Sequence, residues 1–326
     1  MFLHLFAALV AAATALLIFA GGLVTSTGSG LSVPDWPTTY GWSMFTFPLD
    51  KWVGGIFYEH SHRLIASVVG MLIIALAIWL WRAEPRRWVR RLGYLAVAAV
   101  VTQGILGGLT VLWFLPDPIS IAHAGLAQIV FCLTLTIALV TSPRWSRGTS
   151  SVDRILRRIA AATTGAIYVQ ILAGATMRHT DAGLAIPDFP LAFGALVPPA
   201  WTPAIATHYA HRVGAMVVAA LVLATAGHVL YHHRARPELR RPALLLVALL
   251  IAQITLGALT VLSGKQYMIN SLHVVTGAFV LGTSLVLTLR AYRVRFADQG
   301  SGIGDQGAVP ISDPRSLIPD PHGVRA

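Results

Sequence analysis

The chain has 326 residues, of which 56% are hydrophobic and only 11% are charged, and its formal net charge is +11. Soluble domains carry about 25% charged residues. This composition, with a mean hydropathy of +0.69, therefore excludes a soluble globular protein and predicts an integral membrane protein. The single cysteine, Cys132, lies in an apolar stretch, which excludes an intrachain disulfide and a CxxC metal site.

Eight apolar stretches are long enough to cross a membrane, which takes about 20 helical residues. The first lacks a basic n-region and a small-residue cleavage site, so we interpret it as a retained span rather than a signal peptide. The residues from Ala297 onward are rich in Gly, Pro and Asp and predict a disordered tail. The predicted spans are 3–24, 54–81, 92–115, 118–141, 155–177, 204–231, 242–263 and 267–290.

Arginines are concentrated in alternate loops between these spans, whereas the other loops contain only Lys51, Arg178 and Lys265. The positive-inside rule predicts that the arginine-rich loops and both termini are cytoplasmic. The basic net charge then reflects membrane topology and contact with anionic lipid, not nucleic acid. The cytoplasmic set is Arg82, Arg86, Arg87, Arg90, Arg91, Arg144, Arg147, Arg154, Arg157, Arg158, Arg234, Arg236, Arg240, Arg241, Arg290, Arg293 and Arg295.

Several motifs occur twice, about 150 residues apart. An even number of spans per copy preserves orientation, so the pattern predicts an all-α membrane fold of two tandem, parallel four-helix-bundle repeats. The paired motifs are GLSVPDWP (30–37) with GLAIPDFP (183–190), QGILGGLTVL (103–112) with QITLGALTVL (253–262), His62-Arg63 with His211-Arg212, and His123 with His273. We expect an N-terminal repeat at 1–145, a C-terminal repeat at 146–296 and the tail at 297–326.

Four histidines, His62, His123, His211 and His273, lie inside spans at repeat-equivalent positions and at similar depth near the outer face. Ionisable groups inside membranes are costly and usually functional. Two imidazoles on neighbouring helices could hold an iron porphyrin from both faces, although a single membrane histidine often only bonds a neighbouring helix. Nearby glycines are expected to leave room for a flat ligand: Gly125, Gly214 and Gly277.

The other histidines have weaker assignments. His179, in the third outer loop, could reach a cofactor edge. Interfacial solvation is the expected state of the histidines near the cytoplasmic ends and in the tail: His4, His228, His232, His233 and His322.

The two halves differ beside the His-Arg pair, where Glu59 in the first half corresponds to His208 in the second. Glu59 and His62 are at i and i+3 and share a helix face. A carboxylate next to only one of the two sites suggests that the halves have different functions. The alternative is that Glu59 only forms an ion pair with Arg63 or Lys51.

Together these residues resemble the haem A synthase family, whose members oxidise a ring methyl of haem O to a formyl group for cytochrome oxidase. The matching pieces are GGLVTSTGSGLSVPDWP, Glu59-x-x-His62-Arg63, LGGLTVL, His123, His211-Arg212 and His273. The resemblance covers about residues 15–290. Some family members carry a cysteine pair in the first outer loop; this chain has none there and resembles the cysteine-free branch.

The resemblance implies a division of labour between the halves. His211 and His273 are expected to ligate a resident haem b, and His62 and His123 to hold the substrate haem O, with Glu59 contributing to its oxidation. Family members typically act after a farnesyltransferase that makes haem O, which makes this enzyme a candidate docking partner. The arginine pattern predicts haem sites toward the outer face, and we expect a prokaryotic plasma-membrane location. An oligomer is compatible with these expectations.

Two other side-chain roles are predicted near the sites. Arg63 and Arg212 could pair with haem propionates, or could instead pair between helices or extend to the interface. Asp35 and Asp188 are expected to cap their loops, which fold over the mouth of each site.

Two other function classes remain open. A membrane dihaem b cytochrome that carries electrons would share the four histidines but gives no reason for Glu59. A transporter would also explain internal repeats and polar membrane residues, although transporter repeats are more often inverted.

Overall fold

The computed structural model describes residues 2–143, 145 and 153–298. Within these residues, eight long helices are each apolar enough to span a membrane, which confirms the predicted all-α membrane fold. They are α1 Phe2–Ser26, α2 Gly54–Ala83, α3 Arg87–Leu112, α4 Asp117–Val140, α5 Arg154–His179, α6 Pro203–His232, α7 Pro237–Leu262 and α8 Tyr267–Asp298. Two short 3-10 helices, Leu49–Lys51 and Ala182–Leu184, lie in the loops after α1 and α5.

Three helix boundaries depart from the prediction by five residues or more. α3 and α7 each begin five residues earlier than predicted, because hydropathy marks only the apolar part of a helix whose first turns are polar. Pro237 occupies the first turn of α7. Proline is tolerated there because the N–H groups of a first turn make no hydrogen bond within the helix. α8 continues to Asp298, so residues 297–298 are helical; the rest of the predicted tail lies outside the described residues.

The helices pack in the same cyclic order in the two halves. In the first half α1 contacts α2, α2 contacts α3, α3 contacts α4 and α4 contacts α1, and helices α5 to α8 repeat this pattern. The halves meet where α1 and α4 contact α8 and where α4 contacts α5. This order agrees with two four-helix units, whose origin by tandem duplication stays a prediction.

Small residues allow the two halves to approach closely. A Cβ on Gly22 of α1 would lie 3.5 Å from the backbone of Ser271 in α8, and one on Gly282 of α8 would lie 2.9 Å from the Phe131 ring of α4. Small residues at helix interfaces are typical of membrane bundles, where close backbone approach replaces the hydrophobic driving force. Large apolar side chains such as Leu16 and Ile74 are exposed on the outside of the bundle, where lipid would cover them.

The bundle has two chemically different ends. The first, which we call the histidine end, contains the loops after α1 and α5 and the nearby parts of the helices with the four predicted histidines. The second, the arginine-rich end, contains the connections from α2 to α3 and from α6 to α7. The candidate functional site lies at the histidine end.

Candidate functional site

The four predicted histidines occupy matched positions in the two halves. His62 and His211 each lie eight residues after the first residue of α2 and α6. His123 and His273 each lie six residues after the first residue of α4 and α8. His62 lies close enough to His123, and His211 to His273, for a charge on one ring to act on the other, so the structure brings together the two histidines of each predicted pair.

Each of the four imidazoles packs against a glycine of the preceding helix. A Cβ on that glycine would lie 2.9–3.1 Å from the histidine Cε1 atom, closer than a side chain tolerates without displacement of the ring. The pairs are Gly21 with His62, Gly107 with His123, Gly174 with His211, and Gly257 with His273. Sequence reasoning missed these glycines, although Gly107 and Gly257 lie inside the repeated QGILGGLTVL and QITLGALTVL segments.

Glutamines from neighbouring helices contact three of these histidines from a second side. Gln103 Nε2 donates to the His123 backbone oxygen at 3.0 Å. Gln170 Nε2 donates to the His211 backbone oxygen at 2.7 Å and lies 3.0 Å from His211 Nδ1. Gln253 Nε2 lies 3.3 Å from His273 Nε2. Sequence reasoning also missed these three glutamines. Gln103 and Gln253 could have been found, because they begin the two repeated segments QGILGGLTVL and QITLGALTVL.

The Nδ1 atoms of the two pairs have different environments. In the second half, His273 Nδ1 donates to the Gln253 backbone oxygen at 3.1 Å, and the Gln170 amide nitrogen lies beside His211 Nδ1. In the first half, the Nδ1 atoms of His62 and His123 are buried and have no hydrogen-bond partner among the described residues. A metal-ligating histidine usually donates a hydrogen bond through its other ring nitrogen. Of the four rings, His273 is the one whose Nδ1 donates in this way within the described residues.

The expectation that Gly125, Gly214 and Gly277 leave room for a flat ligand is wrong for this structure. A Cβ on Gly125 would lie 2.7 Å from Leu172, and one on Gly277 would lie 3.3 Å from Gln253. At Gly214 the neighbouring group is the Gln170 amide. The last two glycines thus give space to the glutamines that bond the histidines.

Glu59 is almost fully buried, at 3% exposure, and its carboxylate is held by two groups. The Val33 N–H donates to Oε2 at 2.8 Å, and Arg63 Nη2 donates to Oε1 at 2.7 Å. In the second half, the Ile186 N–H donates to His208 Nδ1 at 3.2 Å. Val33 and Ile186 are equivalent residues of the repeated loop, so Glu59 and His208 accept the same loop hydrogen bond with different chemistry.

Arg63 and Arg212 bind the loops that cover the histidine end. Arg63 donates to the backbone oxygens of Val33, Asp35 and Thr38 at 2.7–3.0 Å. In the second loop, Arg212 donates to three equivalent backbone oxygens, at 2.7–3.1 Å, on Ile186, Asp188 and Leu191. Both guanidinium groups therefore fix the loop to the helix that carries the histidine, and pairing with haem propionates stays a prediction.

Asp35 and Asp188 cap their loops as predicted. Asp35 accepts hydrogen bonds from the Tyr40 and Gly41 N–H groups at 2.7 and 2.9 Å and from Thr38 Oγ1 at 2.5 Å. Asp188 accepts from the two equivalent amides, those of Phe193 and Gly194, at 2.8 Å each. Partial burial would raise the pKa of Asp35, but these hydrogen bonds outweigh it and lower that pKa; the amides of Gly194 and Phe193 lower the pKa of Asp188.

The first loop lies over the end of α3. A Cβ on Gly108 would lie 2.6 Å from the Trp36 ring, so the indole rests on the glycine backbone. In the second loop, Phe189 instead faces the Arg212 guanidinium at 5.8 Å. Both X–Pro bonds that follow these aromatic residues are cis.

The remaining histidines are placed as follows. His60 is buried against Phe47 and Trp52 and bonds Thr39 Oγ1 at 3.1 Å, so its contacts are with the first loop and the residues that lead into α2. His179 ends α5 and interacts electrostatically with His123 of the other half. The expectation of interfacial solvation is wrong for three histidines, because they are partly buried and hydrogen-bonded to Ala138 O or to Asp153: His4, His228 and His233.

One cavity among the described residues lies away from the histidines. It measures about 720 Å³ and lies between the two halves at the arginine-rich end, where Arg236, Glu238 and Arg293 join its apolar walls.

Comparison with known proteins identifies the family of this chain. The family model for COX15-CtaA, described as a cytochrome oxidase assembly protein, matches residues 4–285. A protein of Geobacillus kaustophilus named Heme A synthase is 31% identical over 310 residues, covering 91% of this chain and 95% of the relative. Another of that name, from Shouchella clausii, is 32% identical over 285 residues, covering 86% and 91%. The chain therefore belongs to the COX15-CtaA family of cytochrome oxidase assembly proteins.

Proposed function

We propose that this protein is a haem A synthase, which oxidises a ring methyl of haem O to a formyl group and supplies haem A for cytochrome oxidase. The proposal rests on family membership and on relatives named Heme A synthase along most of the chain. The observation that carries it is the pairing of half-buried histidines, one pair in each half of a membrane bundle. These relatives favour this function over a dihaem electron carrier and over a transporter.

His211 and His273 are the proposed ligands of a resident haem b. They supply two imidazoles from different helices, a donor set that suits haem iron. His273 Nδ1 donates to the Gln253 backbone oxygen, which leaves Nε2 unprotonated and able to ligate iron, and the Gln170 amide contacts the His211 ring. Haem b supplies redox chemistry when bound, and the surrounding glycine and glutamine contacts fix the two rings that would hold it.

His62 and His123 are the proposed binding residues for the substrate haem O. Their Nδ1 atoms lack partners among the described residues, so these rings are less firmly oriented than those of the second half. Weaker orientation suits a substrate that must arrive and leave, whereas a resident cofactor benefits from a rigid site. The asymmetry of the Nδ1 contacts thus supports the division of labour between the halves.

Glu59 is the proposed acid–base residue of the first half. It lies one helical turn before His62, and a buried carboxylate can accept a proton as a methyl group is oxidised. Arg63 and the Val33 N–H hold that carboxylate in place. Arg63 and Arg212 are proposed to keep the two loops closed over their sites and to place cationic charge near the haem propionates.

The protein is a multi-pass membrane protein. We further propose that it lies in the bacterial plasma membrane with both termini cytoplasmic and the histidine end outward, because the arginines concentrate at the opposite end. Anionic lipid is then the expected neighbour of the arginine-rich end. Docking with the haem O-making farnesyltransferase and assembly into an oligomer are parts of the same proposal.

The test is haem extraction from host membranes that make haem O, with and without this chain, followed by chromatography and mass detection. A formyl-bearing haem A peak that depends on the chain is the expected result. If haem b co-purifies with the protein while haem O stays unchanged, in a host that makes haem A with a known family member, the protein is an electron carrier instead.

A further inference from the structure

Three side chains that the proposed function does not use meet at the arginine-rich end, where α5 begins and α6 ends. Asp153 is the N-cap residue of α5, His228 lies in the last turns of α6, and His233 is the C-cap residue of α6. Asp153 Oδ2 accepts a hydrogen bond from His228 Nε2 at 2.7 Å and another from His233 Nε2 at 2.9 Å. The three atoms all lie within 4.8 Å of one another.

The Asp153 carboxylate is oriented by a separate contact. Its Oδ1 atom accepts a hydrogen bond from the Leu156 N–H at 2.9 Å and so caps α5. Oδ2 is thereby left facing α6, and both imidazoles point their Nε2 atoms at it. The three side chains retain 13–20% exposure, so small ions can reach them from outside the protein.

We propose that Asp153, His228 and His233 form a binding site for a divalent transition-metal ion of the Zn²⁺ class. Two neutral imidazoles and one carboxylate are ligands that such ions accept in proteins, with solvent at a fourth position. Bond lengths of about 2.0–2.1 Å place tetrahedral ligand atoms about 3.3 Å apart. The observed separations of 2.7 and 2.9 Å reach that value when the side chains move apart by about half an ångström.

This site is distinct from the haem sites. It lies at the opposite end of the bundle from His62, His123, His211 and His273, and its ligands come from one half of the chain. A metal ion there would cross-link the first turn of α5 to the last turn of α6. The ion would therefore stabilise the second half without taking part in haem chemistry.

The test uses the full-length, haem-loaded protein in detergent, purified with a tag that contains no histidine. Equilibrium dialysis against Zn²⁺ with elemental analysis gives the affinity and the number of ions bound per chain. The variants are His228→Ala, His233→Ala and Asp153→Asn, of which the last keeps a residue that can cap α5. The matched control is His4→Ala, which removes a histidine at the same end of the bundle.

We expect the wild-type chain to bind one Zn²⁺. The affinity for this ion should fall at least about tenfold in each of the three variants and stay unchanged in His4→Ala. The haem absorbance of each sample shows that the variants are folded. Zn²⁺ should also raise the Tm of the wild type and of His4→Ala, but not that of the three variants. Equal Zn²⁺ binding by the wild type and by a His228→Ala/His233→Ala double variant would overturn the proposal.

Discussion

At the scale of single residues, Glu59 and His208 show how one position can keep a structural task and change its chemistry. Both accept a hydrogen bond from the equivalent loop amide, that of Val33 or Ile186. Only Glu59 adds a negative charge, which it shares with Arg63. The loop contact alone therefore does not require a carboxylate. We propose that the charge of Glu59 serves the oxidation of haem O.

Replacing Glu59 by histidine, the residue at the equivalent position of the second half, separates the loop hydrogen bond from the negative charge. In Glu59→His the loop amide keeps an acceptor while the carboxylate is lost, so we expect normal haem binding and a fall in haem A formation of at least about tenfold. Glu59→Gln, which also keeps an acceptor, should behave the same way. The measurement is the ratio of haem A to haem O in extracted membranes, with the haem content of the purified protein as the folding control.

The matched variant in the second half is His208→Gln, which keeps a loop acceptor and should leave haem A formation unchanged. Full activity of Glu59→His would show that Glu59 only anchors the loop.

At the scale of elements, the two outer loops are held by the same set of contacts. In each loop an aspartate accepts two successive backbone amides at a turn where both residues have positive φ, namely Tyr40 and Gly41 or Phe193 and Gly194. Asparagine, aspartate and glycine are typical of such turns because they tolerate the left-handed region or bond it locally. The repeated PDWP and PDFP segments predicted these caps from sequence.

The positions of the helices along the chain were predictable from sequence, but the face that each helix turns toward its neighbours was not. Long apolar stretches define where a helix crosses the membrane. They do not define which face meets which neighbour, because a membrane helix is apolar toward both lipid and protein. The contacts of Gly21 and Gly174 with histidines of the next helix therefore appear only in the structure.

The aspartate caps make the loops sensitive to acid. The pKa of Asp35 is lowered in the folded protein, so its contribution to stability is present above the unfolded pKa of about 3.9. That contribution is lost as the pH falls below this value and through the lower folded pKa. We therefore expect wild type to exceed Asp35→Asn in Tm at neutral pH, with the difference shrinking below about pH 4.

Thermal unfolding of both proteins across this pH range is the measurement, and Asp188→Asn is the matched variant in the second loop. A difference in Tm between wild type and Asp35→Asn that does not change with pH would contradict the assigned cap.

At the scale of the whole molecule, most of the predicted site residues were identified because their motifs occur twice in the chain. Motifs about 150 residues apart are enough to identify the four histidines, both arginines and both loops. Differences between the halves were harder to read, because they depend on contacts between distant helices. The Nδ1 atoms of His62 and His123 lack partners among the described residues, whereas those of His211 and His273 have them, and no single motif encodes this contrast.

That contrast predicts different consequences for equivalent substitutions in the two halves. His273→Ala removes a proposed ligand of the resident haem b, so protein purified from a host without haem O should lose most of its haem b. His123→Ala removes the equivalent ligand of the substrate site and should keep haem b. In a host that makes haem O, however, it should form at least about tenfold less haem A, because a misplaced substrate loses the benefit of orientation.

The two variants act as controls for each other, since they change the same residue type at the same depth in equivalent helices. Haem b retained by His123→Ala would show that the bundle is folded, and circular dichroism would show the same for His273→Ala. The reverse pattern, with haem b lost from His123→Ala and kept by His273→Ala, would exchange the roles of the two halves. It would also show that satisfied Nδ1 contacts do not mark the resident site, because the better oriented pair would then be the one that releases its haem.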